Sequence, residues 1–323
     1  MEIKVYKTFE ITDNWWIQIA EGFNACFDGY HVTKEWMKEL YQSNVLGYCY
    51  HALAFDGDKI GGFNTWTPYR YYYDNSEIIV GLSGSSYVLK EYRKDIMVFA
   101  DMANAIREEA KKDGVVVSVG VSNKNSYKYG KVFCGAKDVM SLPYWILPIR
   151  IGKVVHKSII NPFSFLFSLF SIGFNYVGSA LFNSKVKQSA CRIKADLFFL
   201  HKRLQNEKYY KKEDSSFFYS YTVSDEDGIK CAYIMCAYEK GVTSYRALTK
   251  CVSRIFFHEK VDMIMFIGTL RMKQLLLLKV PSKYEPKLLP LTYAYTDEEN
   301  KEKYPLLQSG DNWDFTLINL DVR

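Results

Sequence analysis

The stretch from Ile78 to Val121 limits the architecture more than any other part of the chain. Ile78 to Leu89 alternates in strand fashion, and Ile96 to Lys112 gathers small and apolar residues on one helical face. Gly114 marks the helix end, and Val115 to Val121 is an almost wholly apolar strand. Strand, helix and strand in this order form a right-handed crossover between neighbouring strands, so the chain is predicted to be α/β. The junction of the first strand with the helix is a natural anion site, because backbone N–H groups and the helix dipole converge there.

The elements around this unit extend a mixed, largely antiparallel sheet. Glu2 to Ile11 alternates, Trp15 to Phe27 and Thr33 to Gln42 are helical, and Asp56-Gly57-Asp58 turns a hairpin between Tyr48 to Phe55 and Lys59 to Thr67. The aromatic run Tyr69 to Tyr73 is predicted as loop. After Ser215 the texture repeats. Strands are predicted at Phe217 to Val223, Ile229 to Ala237, Met263 to Gly268, Leu288 to Tyr295 and Trp313 to Asp321, with helices at Leu248 to His258 and Arg271 to Val280. A chain of 323 residues suits two domains. The expected division is 1–150, a connector 151–214, and 215–323 as a diverged second α/β domain.

Charge and cysteine content narrow the function. The net charge of +6 favours an anionic ligand or lipid surface, but the basic residues are dispersed and carry no nucleic-acid-binding signature, so no nucleic-acid partner is expected. The seven cysteines are scattered without a CxxC pair or zinc spacing, which reads as reduced thiols and no metal site. Met1 to Glu10 enters a strand pattern directly, without a secretory segment, and a cytoplasmic protein is expected.

The chemistry rests on two ordered segments. The first, Ile79 to Ile96, reads Ile-Val-Gly-Leu-Ser-Gly-Ser-Ser-Tyr-Val-Leu-Lys-Glu-Tyr-Arg-Lys-Asp-Ile. The second is Val121-Ser122-Asn123-Lys124-Asn125-Ser126-Tyr127, followed by Tyr129, Phe133, Gly135 and Ala136. Together they resemble the acetyl-coenzyme A segments of GNAT N-acetyltransferases: a strand, a pyrophosphate turn before a helix, then an Asn-x-Asn-Ser segment and a short helix ending in Phe-Gly. The family's glycines are replaced here by Lys94, Asp95 or Ile96. Ser141 to Arg150 and the tail Trp313 to Asp321 further resemble GNAT-like proteins associated with polysaccharide biosynthesis, which have two GNAT-like halves. The resemblance implies an acyl-coenzyme A co-substrate, with its pyrophosphate over Arg93, Lys94, Asp95, Ile96 and Met97 and its pantetheine arm beside Val88, Asn123 and Asn125. It implies a small-molecule amine acceptor, an amino sugar by the same likeness.

Acyl transfer to an amine needs the amine neutral and the departing thiolate protonated. Tyrosine is the family's usual donor. Its usual position holds Lys131, and Tyr129, slightly off register, is the expected acid. Glu77 at the head of the central strand is the expected base, with Glu91 second. Two further readings stay open: a peptidoglycan-bridge type aminoacyl transferase, for which long helical arms are missing, and a non-catalytic GNAT-like binding protein, favoured by the lost glycines.

Within the connector, Asn161 to Phe182 is bulky and apolar except for a narrow stripe of Ser164, Ser168, Ser171, Asn175 and Ser179. Its length approaches a membrane span, but Pro162, Gly173, Asn175 and Gly178 interrupt it. It is predicted as a helix buried between domains or lying on a membrane surface, flanked by Lys153, Lys157, Lys185 and Lys187.

Overall fold

The computed structural model describes residues 1–320 apart from Asp28, Tyr30, Ser43, Val45, 182–187 and Lys273. Phe182, Lys185, Lys187 and Asp321 therefore lie outside the described residues, as do the side chains of Lys124 and Asn125. The chain forms two compact units. Unit 1 comprises Met1–Ser141, Ala190–Lys194 and Leu289–Asn312; unit 2 comprises Leu142–Ser189, Ala195–Leu288 and Trp313–Arg323.

In chain order the chain builds β1 (Glu2–Lys7), α1 (Asp13–Cys26), α2 (Lys34–Gln42), β2 (Tyr50–Asp56), β3 (Lys59–Tyr73), β4 (Ser76–Val88), α3 (Val98–Lys112), β5 (Val115–Val121), α4 (Lys124–Phe133), β6 (Lys137–Ser141) and β7 (Tyr144–Pro148). There follow α5 (Asn161–Leu181), β8 (Cys191–Ile193), α6 (Leu197–Arg203), β9 (Tyr210–Glu213), β10 (Phe217–Glu226), β11 (Ile229–Glu239), β12 (Val242–Thr243), α7 (Tyr245–His258), β13 (Met263–Ile267), β14 (Leu278–Lys279) and β15 (Pro290–Tyr295).

The sheet of unit 1 runs β1-β2-β3-β4-β5-β15-β6, with β8 added beside the end of β3. The β4–β5 pair in it is parallel, as a strand-helix-strand unit requires. Leu53 and Phe55 pack under α1 and α2, whereas Ala52 and Ala54 pack under α3, because successive strand residues face opposite sides. Covering both faces explains why β5 is buried along nearly its whole length and reads as apolar without alternation.

Unit 2 repeats this order with other segments. Its sheet is β14-β7-β13-β11-β10-β9; β11 and β13 are its parallel pair, and α7 is the crossover between them. In each unit the strand next to the parallel pair is antiparallel and comes from a distant part of the chain: β15 in unit 1 and β7 in unit 2. The units are therefore interleaved in sequence, and contiguous segments 1–150, 151–214 and 215–323 do not coincide with them.

Three local expectations differ from the structure. Tyr69 to Tyr73 continues β3 and pairs with β4 and β8, since a tyrosine run suits a half-buried pleated surface. The described residues from Arg271 to Val280 are not helical. The Gln274 side chain bonds both the N–H and the carbonyl of Leu277, and Arg271 donates to the Trp313 carbonyl, so other partners replace the helical ones. Among the described residues from Trp313 onward, only Trp313 and Asp314 form a strand, and Leu317 to Asn319 turns as a 3₁₀ helix.

The core of unit 1 contains a titratable group. His51 is fully buried, its Nε2 is 2.9 Å from Thr8 Oγ1, and its ring lies against Trp16, Tyr41 and Phe63. Burial drives its pKa down to about 3. Above the unfolded value near 6.5 the imidazole is neutral in both states. As the pH falls from there toward 3, only the unfolded chain takes up the proton, and stability is lost at up to about 1.4 kcal/mol per pH unit. Urea unfolding at pH 7 and 4.5 is expected to show that His51→Gln narrows the wild-type stability difference by about 2–3 kcal/mol.

Candidate functional site

The parallel pairing of β4 with β5 ends at Leu82 and Val119, although β4 continues to Val88 and β5 to Val121. Beyond that point β4 stays bonded to β3 alone, and its register shifts between Asn64 and Trp66 of β3, with Ser83 and Ser86 opposite. This bulge falls on the Ser-Gly-Ser-Ser run, where glycine inside a strand eases the irregular backbone. The separated strands open a cleft of about 100 Å³. Its walls come from β3, β4, α3, β5, α4 and β15, all in unit 1.

Two cleft residues have polar atoms that the fold leaves unpaired. Asn64 on β3 is 1% exposed, and neither Oδ1 nor Nδ2 finds a partner. Arg107 on α3 donates through Nη1 to Asn104 Oδ1 and through Nη2 to the Cys134 carbonyl, but its buried Nε has no acceptor. A buried unpaired amide costs about 1–3 kcal/mol, so Asn64 marks a place where a ligand with both donor and acceptor capacity would be welcome. Tyr293 on β15 also lines the cleft, and burial raises the pKa of its hydroxyl. Among the described residues lining the cleft there is no carboxylate and no imidazole.

The expected site residues fall in several places. Arg93, Lys94, Asp95, Ile96 and Met97 form the exposed turn before α3. The first helical bond of α3 runs from the Asp101 N–H to Met97, which leaves the preceding N–H groups of Val98, Phe99 and Ala100 without helical acceptors. Asp95 turns back onto the chain, accepting the Met97 N–H at 3.0 Å. Arg93 also folds back, donating from Nε to the Val88 carbonyl at 2.8 Å and from Nη2 toward Cys26 Sγ at 3.4 Å. Asn123 caps α4, its Oδ1 accepting the Ser126 N–H at 3.0 Å.

The expected acid and base do not meet at the cleft. Tyr129 is 39% exposed and stacks on Phe133, while α4 faces the cleft through Ser126 and Gly130. Glu77 stands at the opposite end of β4, about 20 Å of strand from Ser83. There Lys194 at 2.5 Å, helped by Arg70, holds the Glu77 carboxyl below its usual range, the wrong direction for a base. Glu91 is paired with Lys59 at 2.8 Å on the surface. Asn64, Arg107 and Tyr293 escape the sequence reading; the readable signal near them was the glycine-serine run in β4.

In unit 2 the corresponding gap is filled by the chain itself. The β11–β13 pairing ends at Ile234 and Phe266, and Gly268 then bridges to Thr316. The Thr269 N–H donates to the Phe315 carbonyl, and Thr316 Oγ1 donates to the Met235 carbonyl. Trp313 and Phe315 are fully buried.

No protein-family model and no curated protein matches the sequence. Solved structures do match in shape. A conserved protein of unknown function from Enterococcus faecalis V583, described as a probable N-acyltransferase, aligns over 93% of this chain and 74% of its own, with TM-score 0.58 and 12% identity. A GCN5-related N-acetyltransferase from Anabaena variabilis aligns over 94% and 75%, with TM-score 0.59 and 9% identity. One from Kribbella flavida aligns over 93% and 73%, with TM-score 0.57 and 11% identity. The fold is GNAT-like. This likeness covers most of the chain and concerns the mixed α/β architecture; at such identities it carries no residue-level assignment.

Proposed function

We propose that unit 1 is an acyl-coenzyme A-dependent N-acyltransferase that transfers an acetyl group to an amine in the cleft between β4 and β5. The observation that carries this reading is Asn64, a buried, unpaired amide beside a β4 bulge. The residues present fit the co-substrate. The first-turn N–H groups of α3, with Arg93 and Lys94 nearby, would hold the pyrophosphate, and the Asp95 carboxylate is already turned onto the Met97 N–H. Bound acyl-coenzyme A supplies an activated thioester carbonyl.

In the proposed mechanism the Asn64 amide donates to the carbonyl oxygen as charge grows there, and cleft burial strengthens that bond. Tyr293, which lines the cleft, gives its proton to the sulfur as the C–S bond breaks and the C–N bond forms, and regains one from the cleft water that takes the amine's proton. The burial that raises its pKa opposes this step, so the sulfur's need for a proton must drive it. The amine loses its proton to water held among the serine hydroxyls of the cleft. For the acceptor we propose an amino sugar of surface polysaccharide, supported by the resemblance of Ser141 to Arg150. Unit 2 we read as a degenerate second GNAT-like copy, supported by its repeated strand order and its filled gap. We assign the protein to the reducing cytoplasm, a reading supported by seven free cysteines, all but Cys26 buried.

Calorimetry with coenzyme A tests the proposal. Binding is expected for the wild type, and Arg93→Glu is expected to weaken it by about 1.5 to 3 kcal/mol, roughly ten- to a hundredfold, by placing a negative charge at the phosphates. A second reading, a non-catalytic binding protein, is favoured by the Arg93 side chain lying on the Val88 carbonyl. It replaces the first if folded wild-type protein gives no heat with millimolar coenzyme A.

A further inference from the structure

Helix α5 is built inside out. Its polar stripe faces the interior of unit 2: Ser164, Ser168, Ser171, Asn175 and Ser179 are all at most 9% exposed. Ser164 donates to the Ile149 carbonyl, Ser168 to that of Pro148 and Ser171 to that of Leu275, while the Tyr245 hydroxyl donates to Asn175 Oδ1. The outward stripe is apolar and aromatic. Phe163, Phe167, Phe170, Phe174 and Val177, at alternating spacings of four and three residues, are 72%, 43%, 76%, 65% and 59% exposed. Phe165 stacks on Phe256 of α7 at 5.2 Å, and the neighbouring Phe257 is 63% exposed, so the apolar face extends past the helix.

Contiguous apolar surface of this size marks a place where something other than water is met. The charge around it says what. From Val139 to Ala195 the sequence holds no Asp or Glu, while Lys153 and Lys157 lie exposed just before α5 and Lys185 and Lys187 follow it in sequence. Lys153 reaches the Gly228 carbonyl at 2.8 Å and Asp262 at 3.3 Å, but no carboxylate lies in the segment of the apolar helix itself. An apolar face on an acid-free, lysine-bearing segment is complementary to an anionic lipid surface. Ser158–Ser179 is long and apolar enough to cross a bilayer, with mean hydropathy 1.3. Spanning would, however, tear the serine stripe from the carbonyls of β7 and Leu275 and leave those groups unpaired in hydrocarbon.

We propose that α5 docks unit 2 onto an anionic membrane surface, lying in the interface with Phe163, Phe170 and Phe174 inserted among the lipids. The proposal is independent of the acyl-transfer reading. It is tested by sedimenting the full-length protein with vesicles of phosphatidylcholine alone and of phosphatidylcholine with about one-third phosphatidylglycerol. The wild type is expected to bind the anionic vesicles about tenfold more tightly than the neutral ones, and to lose that preference when salt rises from about 0.1 to about 0.5 M. Phe170→Glu with Phe174→Glu is expected to weaken binding at least about tenfold. Both side chains point outward, so the thermal transition should be retained, and Phe163→Glu alone serves if the double variant fails to fold. The proposal is overturned if the wild type binds neither vesicle or if the Glu variants bind like wild type. It is equally overturned if sedimentation velocity shows a dimer that these variants dissolve, since a second copy then covers the face. Release from native membranes by detergent alone, with salt and carbonate failing, would establish the spanning arrangement instead.

Discussion

Replacing Asn64 by leucine is expected to make the protein more stable and less active in one step. The Asn64 amide is 1% exposed with both polar atoms unpaired, so the folded chain carries a desolvation cost that nothing within it offsets. Leucine has nearly the same shape and no polar atoms, and it should recover about 1–3 kcal/mol, read as a higher unfolding midpoint. Acetyl transfer is expected to fall by about 10²–10³-fold, the usual effect of removing one preorganised donor to a developing oxyanion. Asn64→Asp separates shape from charge: an unpaired buried carboxylate should lower stability and activity together. A leucine variant with full activity would remove Asn64 from the chemistry. One with lowered stability would show that the amide is needed by the fold itself.

Gly268→Ala is expected to be the most damaging small substitution in unit 2. The residue has φ of +132°, and a Cβ there would lie 2.2 Å from the Phe315 carbonyl oxygen and 2.7 Å from Thr316 Cα. Both neighbours are backbone, so relief requires the C-terminal segment to lift out of the gap between β11 and β13. That would expose Trp313 and Phe315, now fully buried, and break the Gly268–Thr316 bridge. A loss of about 4 kcal/mol follows from backbone strain and lost core packing, or roughly 8–16 °C in the calorimetric midpoint. Gly228→Ala is the control. It has φ of +80° but nothing within 4 Å of the added methyl, and should cost about 1 kcal/mol. Equal losses at the two glycines would mean that the tail is not held as described.

The β4-α3-β5 unit was legible in the sequence because its information is local. Alternation in β4, a 3.6-residue period in α3 and the turn at Gly114 each depend on near neighbours only. The same holds for the strand and helix positions of β10, β11, α7 and β13, and for the narrow polar stripe of α5. Tertiary structure decided what each element packs against. That β15 joins the sheet of unit 1 and β7 that of unit 2 depends on pairing across long stretches of chain, for which strand propensity carries no address. Asn64 and Ser86 meet through a register shift, and Tyr293 reaches the cleft from a strand far along the chain. Glu77 and Tyr129 are of the right chemical type, but one faces Lys194 at the far end of β4 and the other the outside of α4. The inward stripe of α5 is the same lesson at one helix. Composition alone leaves either face free to be buried, and the serines turn inward because the carbonyls of Pro148, Ile149 and Leu275 wait there for donors.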